Sequence, residues 1–494
     1  MYSLKNNLSG NFLKFFRYVC STQTDNLKVL IMKYLLISIP FLLIYIFSCD
    51  VADNLHSASG EAGSEVRSMS GFPLLSVNPL TDNAYDWQGY TNTRGGNDGE
   101  VVRVTNLNNS GPGSFREAVA EVDGPRLVVF DVGGVIDLEE DRISIHNPFL
   151  TVAGQTAPSP GITLIKGDIH IRTHDVIIEH IAIRPGDAGH SKGSGWSPDG
   201  ITTDRGQDVI IRNCSITWAI DEGLTASGPR DPTTSRRVSF INNIIAEGLD
   251  DSSHPKGPHS KGSLIHDYVK DIAIIGNLYA HNWDRNPEFK EHNIGVIVNN
   301  VIYNPGVRAM NVRHSSGSSA SDNPENSQLS VVGNLLQWGP NTGKTDTDPN
   351  SETVRTVRLL RASSNDDGGE GDAFLDDNIA FNRDGGDVDI VNSGVNILDQ
   401  KPTWPEGLIA LPAADVKDYV LKTVGARPWD RSEIDQRIIQ SVLNESGRVI
   451  DSQDEVGGYP DYEPVYRTLE VPDSNRDEWL QSLTTNCGGR PDCI

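Results

Sequence analysis

Six segments of this chain share one shape: a short β-rich run, a polar residue that is usually Asn, and a second short apolar run. They occupy 176–183, 209–216, 238–245, 272–279, 296–303 and 330–337. Aligned, they bring His180, Asn213, Asn243, Asn277, Asn300 and Asn334 into register, at intervals of 33, 30, 34, 23 and 34 residues. A period in this range marks a solenoid, in which each repeat is one turn of a coil. Each strand then pairs in parallel with its counterpart one coil on, and Asn at the bend stacks on Asn. Valine and isoleucine dominate because such strands face a packed interior. The unequal intervals predict side loops of unequal length, and loops of this kind build sites. The expected fold is all-β, a right-handed parallel β-helix.

The flanking sequence fits. Val101 to Val104, Gly113 to Val119 and Leu127 to Phe130 read as strand, short helix and strand, the helix capping the open end of the coil. After about residue 340 the pattern fades, and 341–372 reads as loop. Residues 430–445 are amphipathic, with Asp430 expected at the helix start. The division expected is 1–49 upstream extension and signal peptide, 50–80 tether, 81–400 β-helix, and 401–494 a tail wrapping the solenoid.

The N-terminal part predicts export. Met32-Lys33, the apolar run Leu35 to Phe47 and then Ser48-Cys49 describe a signal peptide. Ile46-Phe47-Ser48-Cys49 also matches a bacterial lipobox, which makes Cys49 a lipidated N-terminus and the only expected membrane contact. Cys214 is expected in the core. Cys487 and Cys493 close a short loop that an oxidising compartment would let form a disulfide. The net charge of −25 argues against nucleic acid as a partner. It does not exclude an anionic polymer, because the field in a cleft is set locally and a bound metal can reverse it.

An opening motif and four that follow it carry the chemistry. Gly113-Ser114-Phe115-Arg116-Glu117-Ala118 followed by Val129-Phe130-Asp131-Val132-Gly133-Gly134 resembles the start of family 1 pectate lyases. Asp199-Gly200-Ile201, Trp218-Ala219-Ile220-Asp221-Glu222-Gly223-Leu224, His259-Ser260-Lys261-Gly262-Ser263-Leu264-Ile265 and Arg285-Asn286-Pro287-Glu288-Phe289-Lys290 follow in the order of that family. The resemblance spans roughly residues 95–340. It implies a monomeric polysaccharide lyase that cuts an acidic, pectate-like polymer by calcium-assisted β-elimination. Asp199 and Asp221 are then the metal ligands, with Glu222 as a third. Arg285 is the base, and Lys261, Lys290 and Lys256 contact substrate carboxylates. Two positions depart from the family pattern. Thr225 stands where relatives often carry an aspartate, and Lys290 replaces an arginine, which keeps charge but loses a bidentate grip.

The chemistry asks for these residue types. The C5 proton of a uronate is weakly acidic because the adjacent carboxylate is already negative, so a Lewis acid must neutralise it. Ca2+ suits an all-oxygen site. A guanidine is a poor base unless its surroundings lower its pKa. Three alternatives stay open on sequence: the same elimination on another uronate such as ulvan, glucuronan or alginate; a β-helix glycoside hydrolase using Asp250 and Asp251; and a non-catalytic glycan binder. His254 and His259 are either acids or loop residues.

Overall fold

The computed structural model describes residues 87–314, 324–344, 355–362, 370–392 and 394–485. The expected signal peptide, Cys20, Cys49, the whole of the expected tether and the Cys487–Cys493 pair lie outside them. No helix among the described residues is long and apolar enough to cross a membrane.

One coil shows the plan. Strands Gln207–Arg212, Ser215–Thr217 and Glu222–Ser227 follow one another around the turn. The next coil starts at Arg236–Ile241, which lies parallel to Gln207–Arg212. Repetition gives three sheets among the described residues: a first of eleven strands, a second of ten and a third of eight, with all neighbours parallel except Val465–Tyr466 in the second. This is a right-handed parallel β-helix, with the hand that parallel β crossovers take.

Period-two alternation fills the interior. Val176, Ile178, Val209, Ile211, Val238, Phe240, Ile272 and Ile274 point inward from the first sheet into one continuous core. Their neighbours Ile177, Ile210, Ile241 and Ile275 point outward, yet they are buried too, in a second cluster with Trp87, Val416, Val420 and Ile438. Helices Ala413–Thr423 and Glu433–Leu443 supply much of that cover. Both faces of these strands are therefore dry, which is why they read as unbroken apolar runs. The second helix starts later than expected. Ser432 caps it, accepting from the Asp435 N–H at 3.2 Å, while Asp430 pairs with Arg427 at 2.8 Å.

The Asn file is real, but two of the six aligned residues belong elsewhere. Asn243, Asn277, Asn300 and Asn334 each donate a side-chain N–H to the next amide oxygen at 3.0 Å, and the file runs on to Asn378. His180 and Asn213 stand one position earlier. They share the left-handed turn row with Asn242, Gly276, Asn299 and Gly333, all at φ between 48° and 68°. That backbone region favours Asn and Gly, which is why Asn marks both rows. Cys214, buried and free, occupies the place in register with Asn243 and donates its backbone N–H to the Asn243 amide oxygen at 2.9 Å. The coil also continues beyond residue 340. Leu360–Ala362, Gly371–Asp376, Ile379–Phe381 and Val395–Ile397 add to the three sheets.

At the other end the expected strand, helix and strand are present as Glu100–Val104, Glu117–Glu121 and Arg126–Phe130. Phe115, Ala118 and Val119 plug the interior against Val104 and Phe130.

Candidate active site

The outward row of the third sheet differs from the apolar rows. Its inward residues, among them Ile169, Ile201, Leu224, Ile265, Phe289 and Met310, belong to the core. Between them the register aligns His170, Thr202, Thr225, Leu264, Glu288, Asn311 and Arg361, a largely polar stripe running along the solenoid axis. The residues singled out by sequence lie where the chain enters this sheet on successive coils. Asp199 precedes Ile201–Asp204, Asp221 precedes Glu222–Ser227, Lys261 opens Lys261–Ile265, and Arg285 precedes Glu288–Phe289.

Carboxylate oxygens of Asp199, Asp221 and Glu222 lie within 4.8 Å of one another. Asp199 accepts the Glu222 backbone N–H at 3.2 Å on one oxygen and the Thr202 hydroxyl on the other. Burial, and then the negative Asp221, push its pKa up to about 7. Asp221 goes the other way. Against the cost of burial, the His259 ring holds it down at about 2. His259 Nε2 is 2.8 Å from Asp221 and His254 Nε2 is 3.4 Å away. These two buried rings are stacked, with centroids 3.7 Å apart and planes 1° apart. His254 Nδ1 accepts the Lys256 backbone N–H at 3.1 Å, so Nε2 carries the proton and points it at Asp221.

Arg285 reaches into this group from two coils beyond Glu222. Its guanidinium is paired with Glu222 and sits 3.6 Å from Glu288. Burial lowers its pKa, opposed by the charges of Glu288 and Asp221. Glu288 is the hub of the basic side. Lys290 approaches it at 2.9 Å, Arg313 at 3.0 Å and the Asn311 amide at 2.8 Å. Its own burial would raise its pKa, but Arg285 and the other cations hold it down at about 2. Asp284 plays a similar part for Lys261, at 3.5 Å, and for Arg308.

The structure thus gathers Asp199, Asp221, Glu222 and Arg285, and sets Lys261 and Lys290 beside them. Lys256 is set apart, exposed on the loop behind His254. Sequence reasoning left the two histidines uncommitted and passed over Glu288 and Asp284. A signal for Glu288 existed: next to an apolar Phe289 that must face the core, an acid between two cations has to face the cleft.

The donor set fits a hard divalent cation such as Ca2+. It offers oxygens from three carboxylates, and the charges of Asp199 and Asp221 repel each other. Asp199 and Asp221 are the ligands best disposed, since Glu222 is already held by Arg285.

No family model matches the chain. It is 32% identical over 376 residues to a protein named probable pectate lyase C from Emericella nidulans, an alignment covering 75% of this chain and 78% of that one. A protein of the same name from Aspergillus terreus is 31% identical over 373 residues, covering 74% and 78%. Among solved structures, a Bacillus subtilis pectate lyase superposes with a TM-score of 0.45 at 12% identity, covering 70% of this chain and 97% of that one. With relatives at this identity aligned over more than two thirds of both chains, the chain belongs to the pectate lyase family of polysaccharide lyases.

Proposed function

We propose that this enzyme cleaves a pectate-type polyuronate by β-elimination at the junction of Asp199, Asp221, Glu222 and Arg285. The observation that supports this most is the half-buried Arg285 guanidinium paired with Glu222 of the carboxylate trio, with its pKa depressed. A cation on Asp199 and Asp221, Ca2+ by the donor chemistry, supplies neutralisation of the sugar carboxylate next to C5. Arg285, in its neutral guanidine form, takes the C5 proton. The C5–H electron pair forms the C4=C5 double bond, and the C4–O bond breaks with its pair on the leaving oxygen, which takes a proton from water. Released from Glu222 by the incoming carboxylate, Arg285 has Glu288 to hold its position while the proton moves. Lys261 and Lys290 bind neighbouring uronate carboxylates, each drawn from its acid partner by the substrate's charge.

Asp250 and Asp251 do not support the hydrolase reading. Asp250 accepts the Ser260 N–H at 3.2 Å and Asp251 binds Lys192 at 2.7 Å, so both stitch loops together. The test is product chemistry. Elimination gives an unsaturated uronide with ultraviolet absorbance, requires the cation, and is lost in Arg285→Ala. Hydrolysis gives new reducing ends without that absorbance and sinks the proposal. Running pectate beside ulvan, glucuronan and alginate names the polymer. Export with Cys49 as lipid anchor belongs to the same reading. Labelled palmitate should enter the wild type and not Cys49→Ser.

A further inference from the structure

We infer that the cleft continues past Asp199 into a subsite for an uncharged pyranose, either a methyl-esterified uronate or a neutral sugar. The inference uses the lyase reading only to set the polymer along the third sheet.

Position is the first argument. A cavity of 190 Å³ lies beside Asp199, walled by Glu140, Asp141, Arg142, Asp168, Trp196 and Pro198. These residues stand where the chain enters Ile143–Ile145, Ile169–Ile171 and Ile201–Asp204. They therefore extend toward the N-terminal end the same row that holds Asp199, Asp221, Lys261 and Arg285. Coils are about 4.8 Å apart, close to the length of one sugar in an extended chain. Sites for drug-sized ligands run from roughly 300 to 1,000 Å³, so this cavity suits a single ring.

Chemistry is the second. Trp196 is half-buried and fixed. Its indole N–H donates to the Gly186 carbonyl at 2.9 Å, and its ring stacks on His190 with centroids 5.5 Å apart. A fixed aromatic wall suits the C–H face of a pyranose. Glu140 and Asp141 are acceptors for sugar hydroxyls. They and Asp168 would repel a free carboxylate. The lining's one guanidinium, Arg142, is already committed, binding both Asp168 oxygens at 2.7 and 2.8 Å. A free uronate here would face Glu140, Asp141 and Asp168, and the cationic partners at this end, Arg142 on Asp168 and Arg116 on Asp141, are already engaged.

The test uses full-length Arg285→Ala protein with Ca2+, so that ligands bind without being cut. Calorimetry compares a methyl-esterified hexauronide, its de-esterified form and a neutral galacto-oligosaccharide. Trp196→Ala should weaken the esterified or the neutral ligand about tenfold, the worth of one aromatic contact, and Trp196→Phe should restore it. De-esterified ligand should change less than twofold. Glu140→Lys should shift preference toward the de-esterified form. The proposal is overturned if Trp196→Ala weakens every ligand equally, if it weakens none, or if Glu140→Lys leaves the preference unmoved. Unsaturated product without this binding pattern removes the subsite and spares the lyase. The pattern without product does the reverse.

Discussion

The two ends of the cleft are built on the same sheet, from the same kind of chain entry, and carry opposite charge. Beyond Asp199 toward the C-terminal end, Lys261, Arg285, Lys290, Arg308 and Arg313 surround two buried acids, Asp284 and Glu288. Toward the N-terminal end, Glu140, Asp141 and Asp168 line the cleft, with Arg142 on Asp168 and Arg116 on Asp141. A net charge of −25 says nothing of this division. Local field follows from which residue each coil presents at its entry into the third sheet, and the coil beneath is indifferent to it.

The comparison can be broken most directly at its basic end. Arg285→Ala should lower kcat on the order of a thousandfold with KM little changed, read from initial rates of unsaturated product. Survival of most of the rate would mean that the basic side only binds. A second contrast concerns counterions. Glu288→Gln strands Lys290 and Arg313 and takes one of two acid partners from Arg285, and should cost about 3 kcal/mol in denaturant melts. Asp168→Asn frees an Arg142 that is 46% exposed, so water takes over and the loss should be about 1 kcal/mol. Equal losses would erase the distinction between a hub whose cations are buried or half-buried and an acid whose cation is solvated.

The boundary between the ends can be sharpened by pH. With chelator present, the folded protein keeps a proton on Asp199 up to about pH 7, whereas the unfolded chain has lost it above about pH 4. The native state thus binds more protons across that window, and stability from this group must fall as pH rises through it. Melting temperature should decline by a few degrees between pH 5 and 7, and Asp199→Asn should flatten that slope, as should Ca2+. The smallest effect expected is at Thr225. Its buried hydroxyl has no hydrogen-bond partner among the described residues, and it sits in register with Thr202, which holds Asp199. Thr225→Asp should tighten Ca2+ binding several-fold by titration, since added ligand charge raises affinity.

The coil was legible because its strands obey one short rule repeated many times. Its register was misread at His180 and Asn213 because two adjacent rows both select Asn, one for amide stacking and one for left-handed backbone. Only hydrogen-bond partners separate them. Asp199, Asp221 and Arg285 were legible as family motifs. Glu288 and Asp284 were not, because an acid embedded among cations reads as a surface ion pair until its burial is known. The pocket by Trp196 was invisible for a different reason. Its walls come from three coils, and no local window contains Arg142, Asp168 and Trp196 together.

The Asn file has a consequence for how this molecule can vary. Each amide gives to one neighbour and takes from another, so the file has a sense, like the teeth of a zip, and it fixes the pitch of every turn it joins. An insertion inside that line would open a gap that propagates along the axis, whereas one in a side loop leaves the pitch untouched. The scaffold can therefore be lengthened only in whole turns, and the groove it carries can be re-lettered one sugar position at a time.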